Sequence, residues 1–176
     1  MARRAILSRG FCPFFLAAGV WALVGVALWP TVFVGAVVLP TAFSLVDWHV
    51  HEMIFGYGGA VVAGFLLTAI PNWTGRLPVA GLSLAALAAL WAAGRIAVFA
   101  SAAIGRPAAA AIDAAFLIVF AVLVAREVAA GRNWRNLKTA GLVLALASVN
   151  VAFHLEDAAS GLAEFSTRAS LGLLAC

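Results

Sequence analysis

Charge is what this chain has least of. Only 10% of its 176 residues are Asp, Glu, Lys or Arg, against roughly 25% in an ordinary soluble domain. With 65% apolar residues and a mean hydropathy of +1.09, there is too little polar surface to coat a water-soluble globule. Cysteine is scarce too. Cys12 and Cys176 form neither a disulfide framework nor a CxxC metal spacing, so they say nothing about redox compartment. No phosphate-binding glycine loop, GxSxG, HExxH or CxxCH is present, which leaves nucleotide-dependent, hydrolase and c-type cytochrome readings without support. There is no internal repeat and no stretch long and polar enough to make a soluble domain.

What the chain has instead is a succession of apolar runs, each near the ~20 residues that cross a hydrocarbon core. They predict an all-α polytopic transmembrane helical bundle, with five full spans and the start of a sixth, in a single domain over 1–176. The first run, Phe11 to Leu39, is far longer than the core of a secretory signal, and Trp29 with Pro30 predicts an end or kink there. The second is expected over Trp48 to Ile70, closed by Pro71 and the polar turn to Arg76. Spans over Leu82 to Ile104, Ala111 to Val128 and Thr139 to Leu155 follow, and Ser166 to Cys176 reads as half of another. The alanine tracts Ala85 to Ala93 and Ala108 to Ala115 are expected as helix-packing surfaces.

Basic residues in short loops orient such a bundle. With a cytoplasmic N-terminus, one side receives Arg3, Arg4, Arg9, Arg76, Arg126, Arg132, Arg135 and Lys138, and the other only Arg106 and Arg168. The net charge of +4 is therefore a topology signal rather than a nucleic-acid footprint. All three histidines then fall toward the outer face.

The stretch from Asp47 to Gly64 gathers the chemistry. His49, His51 and Glu52 stand at the mouth of the second span, followed by Gly56, Ala60 and Gly64, whose spacing allows close approach of a helix or a flat cofactor. At 100° per residue His49, Glu52, Met53 and Gly56 share one face and His51 lies about 200° away. A helix starting near Met53 would instead let both imidazoles reach one metal. In the fifth span Asn150, His154 and Asp157 share a face, and a carboxylate three residues from a histidine can orient its ring. Arg95, in mid-span, needs an anion, either Asp113 or an anionic cofactor group such as a haem propionate. Candidate cofactor contacts are thus His49, His51, His154 and Arg95. Candidate metal ligands are the three histidines with Met53, supported by Glu52, Asp157 and Asn150.

Five pieces carry a family resemblance. They are FCPFFLAAGVWAL (11–23), WHVHEMIFGYGGAVVAGFLLTAIPNWTGR (48–76), LWAAGR (90–95), GRNWRNLK (131–138) and FHL (153–155). In order and spacing they resemble the N-terminal half of the NnrS family of bacterial membrane proteins, with Cys12 standing where the family has arginine. The resemblance implies an inner-membrane protein that binds haem and copper and takes part in the nitric oxide response, often alongside denitrification, and in protection against nitrosative stress. No turnover reaction follows from it. It implies the lipid bilayer as partner, no nucleic acid, and a second chain or a homo-oligomer to complete the bundle. Family motifs fall on His49, His51, Glu52 and Met53, and also on Arg95 and His154. The alternative expectation is a noncatalytic interaction module, or a small-solute transport bundle with a polar cavity at the outer face.

Overall fold

A computed structural model describes residue 7 and residues 10–175 of the chain. Arg3, Arg4, Arg9 and Cys176, which entered the charge and cysteine arguments, lie outside the described residues. The elements are α1 (Phe11–Phe33), α2 (Leu45–His51), a π-helical segment (Glu52–Gly58), α3 (Gly59–Thr74), α4 (Gly81–Phe99), α5 (Ser101–Ile104), α6 (Arg106–Ala130), a 3-10 turn (Trp134–Asn136), α7 (Leu137–Ser160) and α8 (Glu164–Leu174). Five helical stretches are long and apolar enough to cross a membrane, namely α1, the continuous Leu45–Thr74, α4, α6 and Trp134–Ser160. This is a membrane protein built as an all-α bundle. The shorter α8, 11 residues, rises only about 16 Å.

Helix α6 is the organising strut. It packs on α4 along one side and on α7 along another, and also meets α3, while α1 lies against α3 and the π segment and α8 against α7. Phe116, Phe120 and Val124 of α6 are fully buried in that position. By contrast α1 buries only Phe14, Ala18, Gly25 and Val32, and turns Leu16, Leu23 and Val26 outward. Hydrocarbon satisfies such apolar side chains as well as a protein core does, so an outer helix needs no polar face in a membrane.

Several boundaries differ from the sequence expectation, each for a local reason. Pro30 and Pro71 do not end their helices: α1 runs on to Phe33 and α3 to Thr74. Each proline removes one backbone donor, but in hydrocarbon abandoning the helix would orphan several more, so continuation wins. Helix α3 stops where Gly75 adopts a left-handed φ of 67° and its N–H closes on the Pro71 carbonyl at 2.9 Å. The third span ends at Phe99 rather than Ile104. There the buried Ser101 is taken up by the loop before α2: its Oγ accepts from the Ala42 N–H at 2.8 Å and meets Thr41 Oγ1 at 3.1 Å. Helix α2 itself starts from Ser44, whose Oγ accepts from the Asp47 N–H at 3.1 Å and donates to the Asp47 carboxylate at 2.7 Å.

Candidate metal centre

The second span changes character where its polar residues begin. From Glu52 to Gly58 the backbone is π-helical, a wider winding that turns each residue through less than the α-helical 100° and that recurs at functional sites. The faces drawn at 100° per residue therefore do not hold across this stretch. His51 and Glu52 both point into the bundle, buried to 0% and 1% exposure, and their side chains touch at 3.3 Å between Nδ1 and Oε1. The Gly56 carbonyl in the same segment accepts the Trp91 indole N–H at 2.9 Å. Gly56 is glycine because a Cβ there would lie 2.9 Å from Trp21 Nε1 and 3.0 Å from Glu52 Oε2, as well as against the Arg95 guanidinium.

Asp113, from the N-terminal part of α6, is the hub of the buried polar residues. Its Oδ2 accepts from His154 Nε2 at 2.9 Å and from Asn150 Nδ2 at 3.0 Å, and lies 3.1 Å from His51 Nε2. Its Oδ1 pairs with Arg95 Nη2. The other arm of Arg95, Nη1, donates to Glu52 Oε2 at 3.0 Å. Gly94 lets α4 come this close, since a Cβ there would sit 3.2 Å from the Asp113 Cα. Three other spans thus converge on one carboxylate of α6.

The surroundings are apolar. The His51 ring is flanked by Phe55 at 5.1 Å, Phe153 at 5.2 Å and Phe43 at 5.7 Å between centroids, and Phe43 also meets His154 at 5.7 Å. In such a medium charges act at longer range and more strongly than in water. Arg95 is always cationic, and Glu52 and Asp113 are its two anions, so with neutral imidazoles the group carries one net negative charge. Among the described residues, Asn150 Oδ1 and Arg95 Nε have no hydrogen-bond partner. His51, Asp113 and His154 each offer one ligand atom, and these atoms lie within 4.8 Å of one another. Two imidazoles and a carboxylate form a donor set that suits copper, zinc, iron or nickel.

Residues 5–176 match the family model of the NnrS protein. The chain belongs to the NnrS family. No curated protein and no solved structure gives a significant match.

The other residues singled out from this NnrS-family sequence occupy different surroundings. His49 is half-buried and stacks on Trp29, with centroids 4.1 Å apart, and its Nδ1 has no partner among the described residues. Met53 points at Gly25 of α1, where its Cε would lie 2.6 Å from an added Cβ. Asp157 accepts from Arg106 Nε at 3.0 Å, and Arg106 also donates to the Ala42 carbonyl at 2.6 Å. The ring of His154 is held by Asp113 from a neighbouring helix instead. Asp113 entered the sequence reading only as a partner for Arg95. Its role as hub has one sequence signal, an aspartate placed inside an alanine-rich apolar run.

Proposed function

We propose that this chain is a metal-binding membrane protein of the nitric oxide response, with the metal ion held by His51, Asp113 and His154. The observation that carries the reading is that both histidine Nε2 atoms lie within 3.1 Å of the same Asp113 oxygen among buried side chains. The donor chemistry fits, and so does the charge: a cation offsets the negative charge left by Glu52, Asp113 and Arg95. Copper is the ion the family resemblance favours, and it suits imidazole. Bound there, it supplies one-electron chemistry and a coordination position for a small ligand. The protein's own part is to orient the two rings through Asp113, to hold Asp113 ionised with Arg95, and to exclude water with Phe43, Phe55 and Phe153. Protection against nitrosative stress, an inner-membrane location and the centre's position toward the outer face belong to the same proposal.

Haem, the second cofactor implied by the resemblance, fits this chain alone less well. Arg95, the partner suggested for a propionate, already uses both terminal nitrogens on Glu52 and Asp113. The cavity that His154 lines is about 230 Å³, below the ~300–1,000 Å³ of pockets that enclose ligands of drug size. A haem would need a surface shared with a second chain or a second copy, so no step is assigned to it.

A noncatalytic reading keeps one observation in its favour. A single proton on His51 or His154 balances the same charge, and the cluster then serves as an interhelical staple. Metal analysis and absorption spectroscopy on detergent-purified protein separate the two readings. The metal reading expects stoichiometric copper or another transition ion that is lost in His51→Ala and His154→Ala variants still running as folded species. Folded wild type that takes up no metal on reconstitution leaves the staple reading ahead. A Soret band that survives both substitutions would move the centre elsewhere.

A further inference from the structure

The corner where α3 and α6 end and α7 begins carries cations that the described residues leave unneutralised. Arg126, Arg132, Arg135 and Lys138 are exposed there, and none of them makes an ion pair among the described residues. The one acidic residue of the corner, Glu127, is held by Arg76 at 2.6 Å. At the opposite end of the same helices, Asp47, Glu156, Asp157 and Glu164 outnumber Arg106 and Arg168. The turn from α6 to α7 is docked on the end of α3: Asn133 Nδ2 donates to the Trp73 carbonyl at 2.6 Å, and a Cβ on Gly131 would lie 3.1 Å from Thr74 Cα.

The backbone supplies a second observation. Arg132, just after α6, has a φ of 51° and is the only non-glycine residue in the left-handed region among the described ones. Glycine is the usual occupant of such a position, and a side chain there bears steric strain. The glycine of this turn stands one residue earlier, where the contact with Thr74 demands it. A cation therefore sits where the backbone favours glycine. Strain of this kind persists where the side chain has a use, and Arg132 finds no anion among the described residues.

The ligand must match more than charge. Trp134 and Leu137 stand between the cations, 65% and 51% exposed, and Leu77, next to Arg76, is 91% exposed. A partner that satisfies both kinds of side chain is anionic at one point and apolar beyond it. The three helical stretches that meet here are each apolar enough to cross a membrane, so lipid is the amphiphile their ends encounter. Clusters of Lys and Arg beside such spans attract acidic headgroups, and guanidinium forks match phosphate oxygens.

We propose that this corner binds the phosphate of an acidic phospholipid between Arg132, Arg135 and Lys138, with Trp134 and Leu137 against its glycerol and upper acyl carbons. The inference goes beyond the metal reading and shares no residue with it.

The test is fluorine NMR of the full chain labelled with fluorotryptophan, in phosphatidylcholine nanodiscs with a rising mole fraction of phosphatidylglycerol. The Trp134 signal, assigned with Trp134→Phe, should shift saturably. The same mole fractions of phosphatidylethanolamine, which has the phosphate but no net charge, should not shift it. Arg132→Gly and Arg135→Gln should each raise the half-saturating mole fraction about fivefold, and Arg168→Gln, at the other end, should leave it unchanged. Arg132→Gly should also melt at or above the wild-type temperature, because glycine relieves the left-handed strain, so weaker lipid binding there cannot come from misfolding. No saturable shift, an equal shift with phosphatidylethanolamine, or wild-type titration in both folded variants would overturn the proposal. An equal response to soluble glycerol phosphate would make the corner a site for free anions, and a response to polyaspartate without one to phosphatidylglycerol would give it to an acidic protein; either result also overturns it.

Discussion

His51 and His154 meet over one oxygen. Their ring centroids are 5.0 Å apart, and their Nε2 atoms lie 3.1 and 2.9 Å from Oδ2 of Asp113. Neither residue is near the other in the chain, so the pairing depends on α6 standing between the second span and α7. A single aspartate therefore sets the geometry of both rings.

That dependence gives an order of effects for metal content. Asp113→Ala should abolish metal binding as fully as His51→Ala does, and should also cost about 3–5 kcal/mol of stability, because it leaves Arg95 with one anion fewer in an apolar interior. His49→Ala should retain the metal, since His49 lies against Trp29, and should cost about 0.5–1.5 kcal/mol of aromatic contact. Metal-to-protein ratios and thermal unfolding of the three variants in detergent check both statements. Metal lost from folded His49→Ala protein would displace the proposed ligand set.

The π segment predicts a contrast between two glycines. Gly56→Ala pushes a methyl group between Trp21, Glu52 and Arg95, an overpacking of the kind that costs about 1–3 kcal/mol. Gly141→Ala meets, among the described residues, no heavy atom within 4 Å beyond its own helix backbone and chain neighbours and should be neutral, or stabilising by up to ~1 kcal/mol through its better helix propensity. Melting temperatures of the two variants, measured side by side, should move in opposite directions or only for Gly56.

How much of this was legible beforehand depends on the kind of feature. The spans were legible, because a bilayer requires ~20 apolar residues and the runs between basic loops have that length. The helix ends were not. Pro71 reads as a terminator and Pro30 as an end or a kink by rules learned in water, and Ser101 stops α4 through hydrogen bonds to a loop some sixty residues earlier. The cluster was half legible. His51, Glu52, Asn150, His154 and Arg95 all stood out as polar groups in apolar runs. Spacing within one helix shows which residues share a face, but not which helices are neighbours. That is why His154 was matched with Asp157 in its own helix, while its bound partner is Asp113 in the next. The π winding carries no periodic sequence signal, so the relative facing of His51 and Glu52 was out of reach.

Asp157 supports a further test at the end of the bundle where α7 finishes and α6 begins. Its side chain is 1% exposed and its charge is met by Arg106, itself 43% exposed, which also ties the Ala42 carbonyl to the start of α6. Arg106→Ala removes both contacts and leaves a buried carboxylate whose second oxygen already lacks a partner among the described residues. The expected loss is about 1–3 kcal/mol. Arg106→Lys should recover only part of it, because an ammonium has no planar fork with which to serve two acceptors at once. Proteolysis of the loop between α1 and α2 should speed up in Arg106→Ala, and unchanged cleavage would show that the tether to Ala42 is dispensable.

Charge balance supplies the last prediction, and it separates a metal centre from a structural staple. With neutral imidazoles, Glu52, Asp113 and Arg95 sum to one negative charge, so a cation is stabilised at the histidines by an anion that does not itself need to touch it. Glu52→Gln keeps a similar shape and an acceptor for Arg95, yet brings the sum to zero. Metal affinity should then fall about 10- to 100-fold, the range seen when groups supporting a ligand are altered, although His51, Asp113 and His154 are all intact. A competing chelator titrated against wild type and Glu52→Gln measures this directly. Equal affinities would mean that Glu52 acts through its contacts with Arg95 and His51 and not through its charge. A folded Glu52→Gln variant that is more stable than wild type without metal, and weaker in binding it, is the combined signature of a site whose negative charge is kept for a cation.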